Sequence, residues 1–475
     1  MNPLYRRIAD QYRSAIHAGS LRPGDRFPSV RTLMRSHAVS LSTALQACRQ
    51  LEDEGWLEAR ARSGYFVQHP RRRGLPPATE QGLRPIDPAA YVGISAHVSE
   101  ILARGQRQPV SANLALAVAP SALYPGEALS RIMQRKLRLA PTALVSMTRR
   151  HGHPLLRAAL ARRALARGVT AAPEEVVITQ GATEAMNLAL RAVTQPGGTV
   201  AVESPSFYGL LQIIEALGLR AIELPTSPRD GLSVEALAFA LDSDPSIQAV
   251  AVMPTLHNPL GCTMPDERKT ALVALCAERG VALIEDDIYG EMSPQPARPL
   301  KAWDRAGGVI HCNSLSKILA PGLRLGWMLA GRWQARVEML KYTQSRFPEE
   351  LPQATVAEFL DSPAYDRHLR RLNEALRQHR DAYADRIATH FPPGTRVTLP
   401  EGGMLLWLQL PEGASGDALF DAALARGIKI APGSMFSTGR RYDGCVRLSC
   451  GRAMDDEVDA ALRTLGALVE APASR

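Results

Sequence analysis

Cysteine and lysine are scarce in this chain of 475 residues, and long apolar runs are absent. The six cysteines (Cys48, Cys262, Cys276, Cys312, Cys445 and Cys450) form no C-x-x-C pair and have no partnering histidines. Disulfide frameworks and zinc sites therefore lack support, no metal is expected, and buried free thiols are. No stretch approaches the roughly 18 uninterrupted apolar residues that a membrane helix requires. The opening MNPLYRRIADQYRS has neither an apolar core nor a small-residue cleavage site, so a cytoplasmic protein with no membrane partner is expected. The length excludes a small stapled scaffold and suggests two or three domains.

The net charge of +9 is unevenly placed. Residues 1–73 hold 13 arginines, no lysine and 6 acids, a balance of +7, whereas the rest of the chain carries +2. Positive charge gathered on a short segment is expected where a polyanion binds, and a solvated basic face would show the same count.

Leu4, Ile8, Tyr12, Ala15 and Ile16 recur at helical spacing, and Gly19 with the turn Arg22-Pro23-Gly24-Asp25 stops that helix. Ser29 can cap a second helix ending near His37, and Ser40 a third from Leu41 to Glu54. Two short β-type runs within Trp56–Val67, joined at Ser63-Gly64, read as a hairpin with arginines at its tip. This is the order of a winged helix-turn-helix. Residues 69–108, rich in Pro, Arg and Gly at the start, read as a linker. Beyond residue 109, VVIT at 176–179, TVAVES at 199–204, AVAVMP at 249–254, VALIED at 281–286 and GVIHCNS at 308–314 alternate with helical patterns. That alternation predicts an α/β fold with a mostly parallel sheet.

A helix-turn-helix sets its second helix in the major groove, while neighbouring residues grip phosphates. Ser40, Ser42 and Thr43 would then face base edges, with Arg31, Arg35, Arg60 and Arg62 placed for phosphates or the minor groove; Ser40 and Thr43 also serve as plain helix caps. The turn P-G-D-x-x-P-S-x-R, then V-S-x-x-T, L-E-x-E-G and the closing S-G-Y-F-V, resemble the DNA-binding domain of GntR-type bacterial regulators along residues 1–68. That resemblance implies a double-stranded DNA operator as partner. Leu41 stands where that family usually carries an arginine, so operator preference does not carry over.

In the body, Lys317 lies in Ser314-Leu315-Ser316-Lys317, with Arg324 seven residues on. A lysine that reacts with an aldehyde needs a strand end and a partly desolvated pocket, and serines with an arginine suit a dianionic phosphate. Asp286 ends the apolar run VALI, where an aspartate can hold a pyridinium nitrogen protonated. Thr179-Gln180-Gly181-Ala182-Thr183 runs from strand to helix, where free N–H groups suit a phosphate. Asn258 offers an amide at another strand end. Taken singly, Gly181 and Asn258 are ordinary turn formers and Asp286 an ordinary cap.

In this joint order residues 109–475 resemble fold-type I pyridoxal-phosphate aminotransferases, with a large and a small domain. The resemblance implies that pyridoxal 5'-phosphate is the cofactor and that Lys317 binds it covalently as the catalytic lysine. It implies further that Asp286 pairs the ring nitrogen, Tyr289 and Asn258 bond the ring oxygen, and Phe207 stacks on the ring. Ala182, Thr183, Ser314, Ser316 and Arg324 would hold the phosphate, and Arg447, in the R-L-S run, the carboxylate of a ligand. Two departures stand beside these matches: Met147 occupies the place of a tyrosine that often reaches the partner subunit, and the expected strand Ala115–Ala119 lacks the usual glycine.

A GntR-type head joined to such a body resembles MocR-type transcriptional regulators over nearly the whole chain. That implies a homodimeric regulator whose body senses an amino acid, an amine or pyridoxal phosphate itself. A working aminotransferase with an accessory DNA-binding domain is the alternative, since Lys317, Asp286 and Arg447 are all present.

Overall fold

The computed structural model describes residues 4–17, 20–21, 24–53, 56–60, 64–67, 75–79, 87–294, 297–346, 348–439 and 441–470, which divide into two compact units, 1–75 and 76–475.

The first unit is built from α1 (Leu4–His17), α2 (Val30–His37), α3 (Leu41–Asp53) and the antiparallel pair β1 (Leu57–Arg60) and β2 (Gly64–Val67). Apolar residues at helical spacing bury one face of each helix, so Ala9, Ile16, Phe27, Leu33, Ala44, Cys48 and Leu51 meet Trp56, Leu57 and Val67 in one core. Burying each large member contributes about 1.5–3 kcal/mol. Ser29 starts α2 by accepting the Thr32 N–H at 3.2 Å, and Ala38, in a left-handed conformation at φ 50°, ends it. These are the winged helix-turn-helix elements that the sequence predicts.

The second unit centres on a nine-stranded sheet. Along it lie Ala90–Tyr91, Arg220–Ser227, Thr199–Ser204, Ile247–Val252, Ala282–Asp286, Val309–Ser314, Gly326–Leu329 and Val176–Thr179, and the ninth strand, Gly231–Leu232, pairs with Arg220–Ser227 off this path. The four pairings from Arg220–Ser227 to Val309–Ser314 are parallel. Gly326–Leu329 enters antiparallel to both neighbours. Val200, Val250, Leu283 and Ile310 are fully buried, as strands covered on both faces require. A smaller layer holds the antiparallel strands Arg396–Val397, Leu405–Gln409, Cys445–Ser449 and Ala431–Pro432, with the helices Pro363–His390, Gly416–Leu424 and Asp456–Glu470.

Two expectations are corrected. The linker does not extend to residue 108: Ala90–Tyr91 pairs with Arg220–Ala221, and Ser95–Arg107 is a helix. That helix buries Val98, Ile101 and Gly105, an amphipathic pattern that the Pro-rich text just before it obscured. Nor is Ala115–Ala119 a strand: the strand here is Ala112–Asn113, and the next residues are irregular. Their carbonyls instead accept bonds from two cations described below. All six cysteines are buried and free. Among the described residues no helix is long and apolar enough to cross a membrane.

Candidate functional site

The eleven body residues singled out from the sequence line one cavity of about 190 Å3. Most of them follow the carboxyl ends of the sheet's strands, where open α/β sheets gather their ligands, while Arg324 precedes Gly326–Leu329 and Arg447 comes from Cys445–Ser449 of the smaller layer. Val309–Ser314 leads into the turn that carries Lys317, held by the Ser316 N–H donating to Ser314 Oγ at 3.1 Å and the Leu315 N–H to Leu325 O at 3.0 Å. Ala282–Asp286 delivers Asp286 and Tyr289, and Thr199–Ser204 leads to Phe207. The half-buried Phe207 ring lies against Gly209, where a Cβ would come within 2.6 Å of it and push the ring aside.

Val176–Thr179 leads through Gly181, at φ 87°, into the helix Ala182–Val193, whose first turn has no side-chain cap. Arg324 extends over this turn and donates to Gln180 O at 3.4 Å. A Cβ at Gly326 would come within 2.6 Å of Gly181 C, so glycine lets the strand approach the helix start. Free helical N–H groups, the Ser314 and Ser316 hydroxyls and an arginine make a cradle for a dianion.

Lys317 Nζ donates to Ala117 O at 2.7 Å. Burial pushes its amine down to about 8, helped by Arg447 and Arg324 and opposed by Asp286. Burial likewise pushes the Asp286 carboxyl up to about 7, against the Ile288 N–H that it accepts at 3.3 Å. Tyr289 is buried and its phenol is raised by that burial. Arg447 donates to Asn258 Oδ1 at 2.9 Å and to Ala115 O, while its buried Nε has no hydrogen-bond partner. A buried guanidinium with a free N–H suits an anionic ligand.

Several contributors are not legible from the sequence alone. Tyr124 donates to Lys317 O at 3.2 Å and accepts the Ala119 N–H. Behind Asn258, buried His257 faces Glu203 at 3.2 Å, and its Nδ1 accepts the Leu260 N–H. Beside Asp286, buried Asp287 takes a two-pronged ion pair from Arg167. The pairs Tyr124–Lys317, Glu203–His257 and Arg167–Asp287 join residues more than 50 positions apart, which no local spacing reports. Met147 is 87% exposed and does not line the cavity.

In the first unit, Ser40 Oγ accepts the Thr43 N–H at 3.3 Å and lies 2.9 Å from the hydroxyls of both Ser42 and Thr43, so these residues do form a cap. Leu41 and Ser42 remain exposed beside them. Arg31 and Arg35 are exposed on α2. Arg60 pairs with Glu58 at 3.0 Å and covers the Phe66 ring, so any phosphate contact competes with both. Arg62 lies outside the described residues.

The fold and cavity define an aminotransferase-like body of fold type I, and the first unit is a winged helix-turn-helix. Residues 4–67 match the gntR family of bacterial regulatory proteins, and residues 121–465 match Aminotransferase class I and II. An archaeal alanine:glyoxylate aminotransferase is 28% identical at a TM-score of 0.74, with 80% of this chain and 96% of that chain covered. The uncharacterized HTH-type transcriptional regulator YdcR of Escherichia coli (strain K12) is 36% identical over 98% of this chain and 99% of its own length. The probable rhizopine catabolism regulatory protein MocR of Rhizobium meliloti is 25% identical over 90% and 86%. The chain belongs to the MocR-type transcriptional regulators, with a GntR-type DNA-binding head and an aminotransferase-like body.

Proposed function

We propose that the body holds pyridoxal 5'-phosphate in the cavity around Lys317 and that an amino acid or amine binding there alters the DNA affinity of a homodimer. The convergence of Lys317, Asp286, Asn258, Arg324 and Arg447 on one cavity carries this reading. The bound cofactor supplies an aldehyde and an electron-withdrawing ring.

Around it, the residues of this chain have separate work. Lys317, with its lowered proton affinity, keeps a substantial neutral fraction near pH 8 and can act as a nucleophile. Asp286, buried at the carboxyl end of its strand, supplies a counter-charge for a protonated ring nitrogen. Asn258 and Tyr289 orient the ring oxygen, Phe207 restricts the ring's tilt, and Ala182, Thr183, Ser314, Ser316 and Arg324 anchor the phosphate. Arg447 takes a ligand carboxylate. In the head, Arg31 and Arg35 meet DNA phosphates, with Ser40, Ser42 and Thr43 at the groove.

If the effector changes the balance of two dimer states by roughly 1–3 kcal/mol, operator affinity moves about 5- to 150-fold. Recording cofactor absorbance and operator affinity in the same samples across a panel of amines tests this directly. Spectral changes that never alter DNA affinity would overturn the sensing role. The second reading, a working aminotransferase, is favoured by the retention of Lys317, Asp286 and Arg447; sustained multiple turnover with a keto acid would establish it.

A further inference from the structure

The head sets an apolar side chain on a surface otherwise suited to a polyanion. Residues 1–73 balance at +7, and Arg31 and Arg35 on α2 and Arg49 on α3 are exposed. On α3 the inner face is Ala44, Ala47, Cys48 and Leu51, all buried. Leu41, the first residue of that helix, is 54% exposed. Leu45, one turn on and on the same side of the helix, is part-exposed as well.

The first residues of the second helix of a helix-turn-helix are the ones that reach base edges in the major groove. The hydroxyls beside Leu41 are engaged with one another: Ser40 Oγ accepts the Thr43 N–H at 3.3 Å and lies 2.9 Å from the hydroxyls of both Ser42 and Thr43. Leu41 itself carries neither donor nor acceptor. Against the polar edge of guanine, adenine or cytosine it would strip water from those groups and return no hydrogen bond. Against the C5 methyl of thymine it buries hydrocarbon on both partners.

We propose, on the reading above that α3 lies at the groove, that Leu41 packs on the C5 methyl of an operator thymine and selects an A·T pair there. Loss of one buried methyl group weakens binding roughly fourfold.

The test uses the full chain, with and without pyridoxal phosphate, and a pool of synthetic duplexes whose random-sequence core is about two helical turns long. In the duplex bound best, each thymine is replaced in turn by deoxyuridine, which removes only the methyl. At least one replacement should cost the wild type roughly fourfold in affinity and cost Leu41→Ala nothing. Leu41→Arg should exchange that A·T pair for G·C in the selected duplexes, because a guanidinium bonds guanine O6 and N7 together. Identical deoxyuridine profiles for the wild type and Leu41→Ala, or a wild type indifferent to every replacement, would overturn the proposal. So would a changed sedimentation coefficient for Leu41→Ala with an unchanged profile, which would assign the residue to a contact between copies of the chain. The scan of the wild type needs no variant, so misfolding of a variant leaves the thymine contact open to refutation. A pool from which no duplex is enriched would refute sequence reading by the head as a whole, whereas enrichment without dependence on a thymine methyl would refute the Leu41 contact alone.

Discussion

The ionisation of Lys317 gives a prediction with a definite sign. Its amine is lowered to about 8 chiefly by burial, with Arg447 pushing the same way and Asp286 pushing back. At pH 7.4 a midpoint of about 8 leaves roughly a fifth of the amine neutral, against less than about 0.1% for an ordinary lysine. Removing the Arg447 charge should raise the midpoint; a rise to about 9, typical of losing one nearby charge, leaves about 2% neutral and slows aldehyde capture roughly eightfold. Removing the Asp286 charge should do the reverse, and a fall to about 7 makes roughly 70% neutral and speeds capture about 3.5-fold. The assay mixes the apo chain with saturating pyridoxal phosphate and follows the visible band from pH 6 to 10 for the wild type, Arg447→Gln and Asp286→Asn. The wild-type rate should rise with pH and level off above about 8, Arg447→Gln should level off later, and Asp286→Asn earlier. Midpoints that shift in the same direction, or do not shift, would refute the assignment of both charges.

Other consequences are equally specific. Arg31→Ala should weaken operator binding uniformly across sequences and lower the slope of log affinity against log salt by about 1, measured by fluorescence anisotropy; an unchanged slope would remove Arg31 from the phosphate contacts. Arg167→Met strands the buried Asp287 carboxylate and should cost about 3–5 kcal/mol in denaturant unfolding of the body, with a loss under about 1 kcal/mol arguing against the pair. Gly326→Ala forces the strand away from Gly181 and should weaken pyridoxal phosphate roughly 10- to 100-fold while affecting unphosphorylated pyridoxal much less. Equal losses for the two compounds would contradict the cradle. Ser29→Ala removes the cap of α2 and should destabilise the head by about 1 kcal/mol on thermal unfolding.

Elements whose signal is local were legible in the sequence. The runs at 176–179 and 199–204 are strands over those same residues, and the other three runs begin or end within two residues of the observed strands. The Ser29 and Ser40 caps are likewise local and stand where spacing places them. Gly326–Leu329 was not legible, because Gly-Trp-Met-Leu opens on a glycine and holds no β-branched residue, unlike the equally short VVIT, and its antiparallel direction is fixed by its neighbours alone. The helix Ser95–Arg107 was hidden by the composition of the text before it. In the cavity, Lys317 and Asp286 are marked by their flanking residues. The Glu203–His257 contact and the Ala115 and Ala117 carbonyls depend on chain crossings that bring distant segments together.

The most direct measurement is to incubate the purified full chain with pyridoxal phosphate, reduce it with borohydride, digest it and locate the added mass. A single tagged peptide carrying the label on Lys317, absent in Lys317→Ala with its far-UV spectrum unchanged, is the predicted result. A label spread over the other five lysines, or no label at all, would contradict the claim that this cavity holds the cofactor.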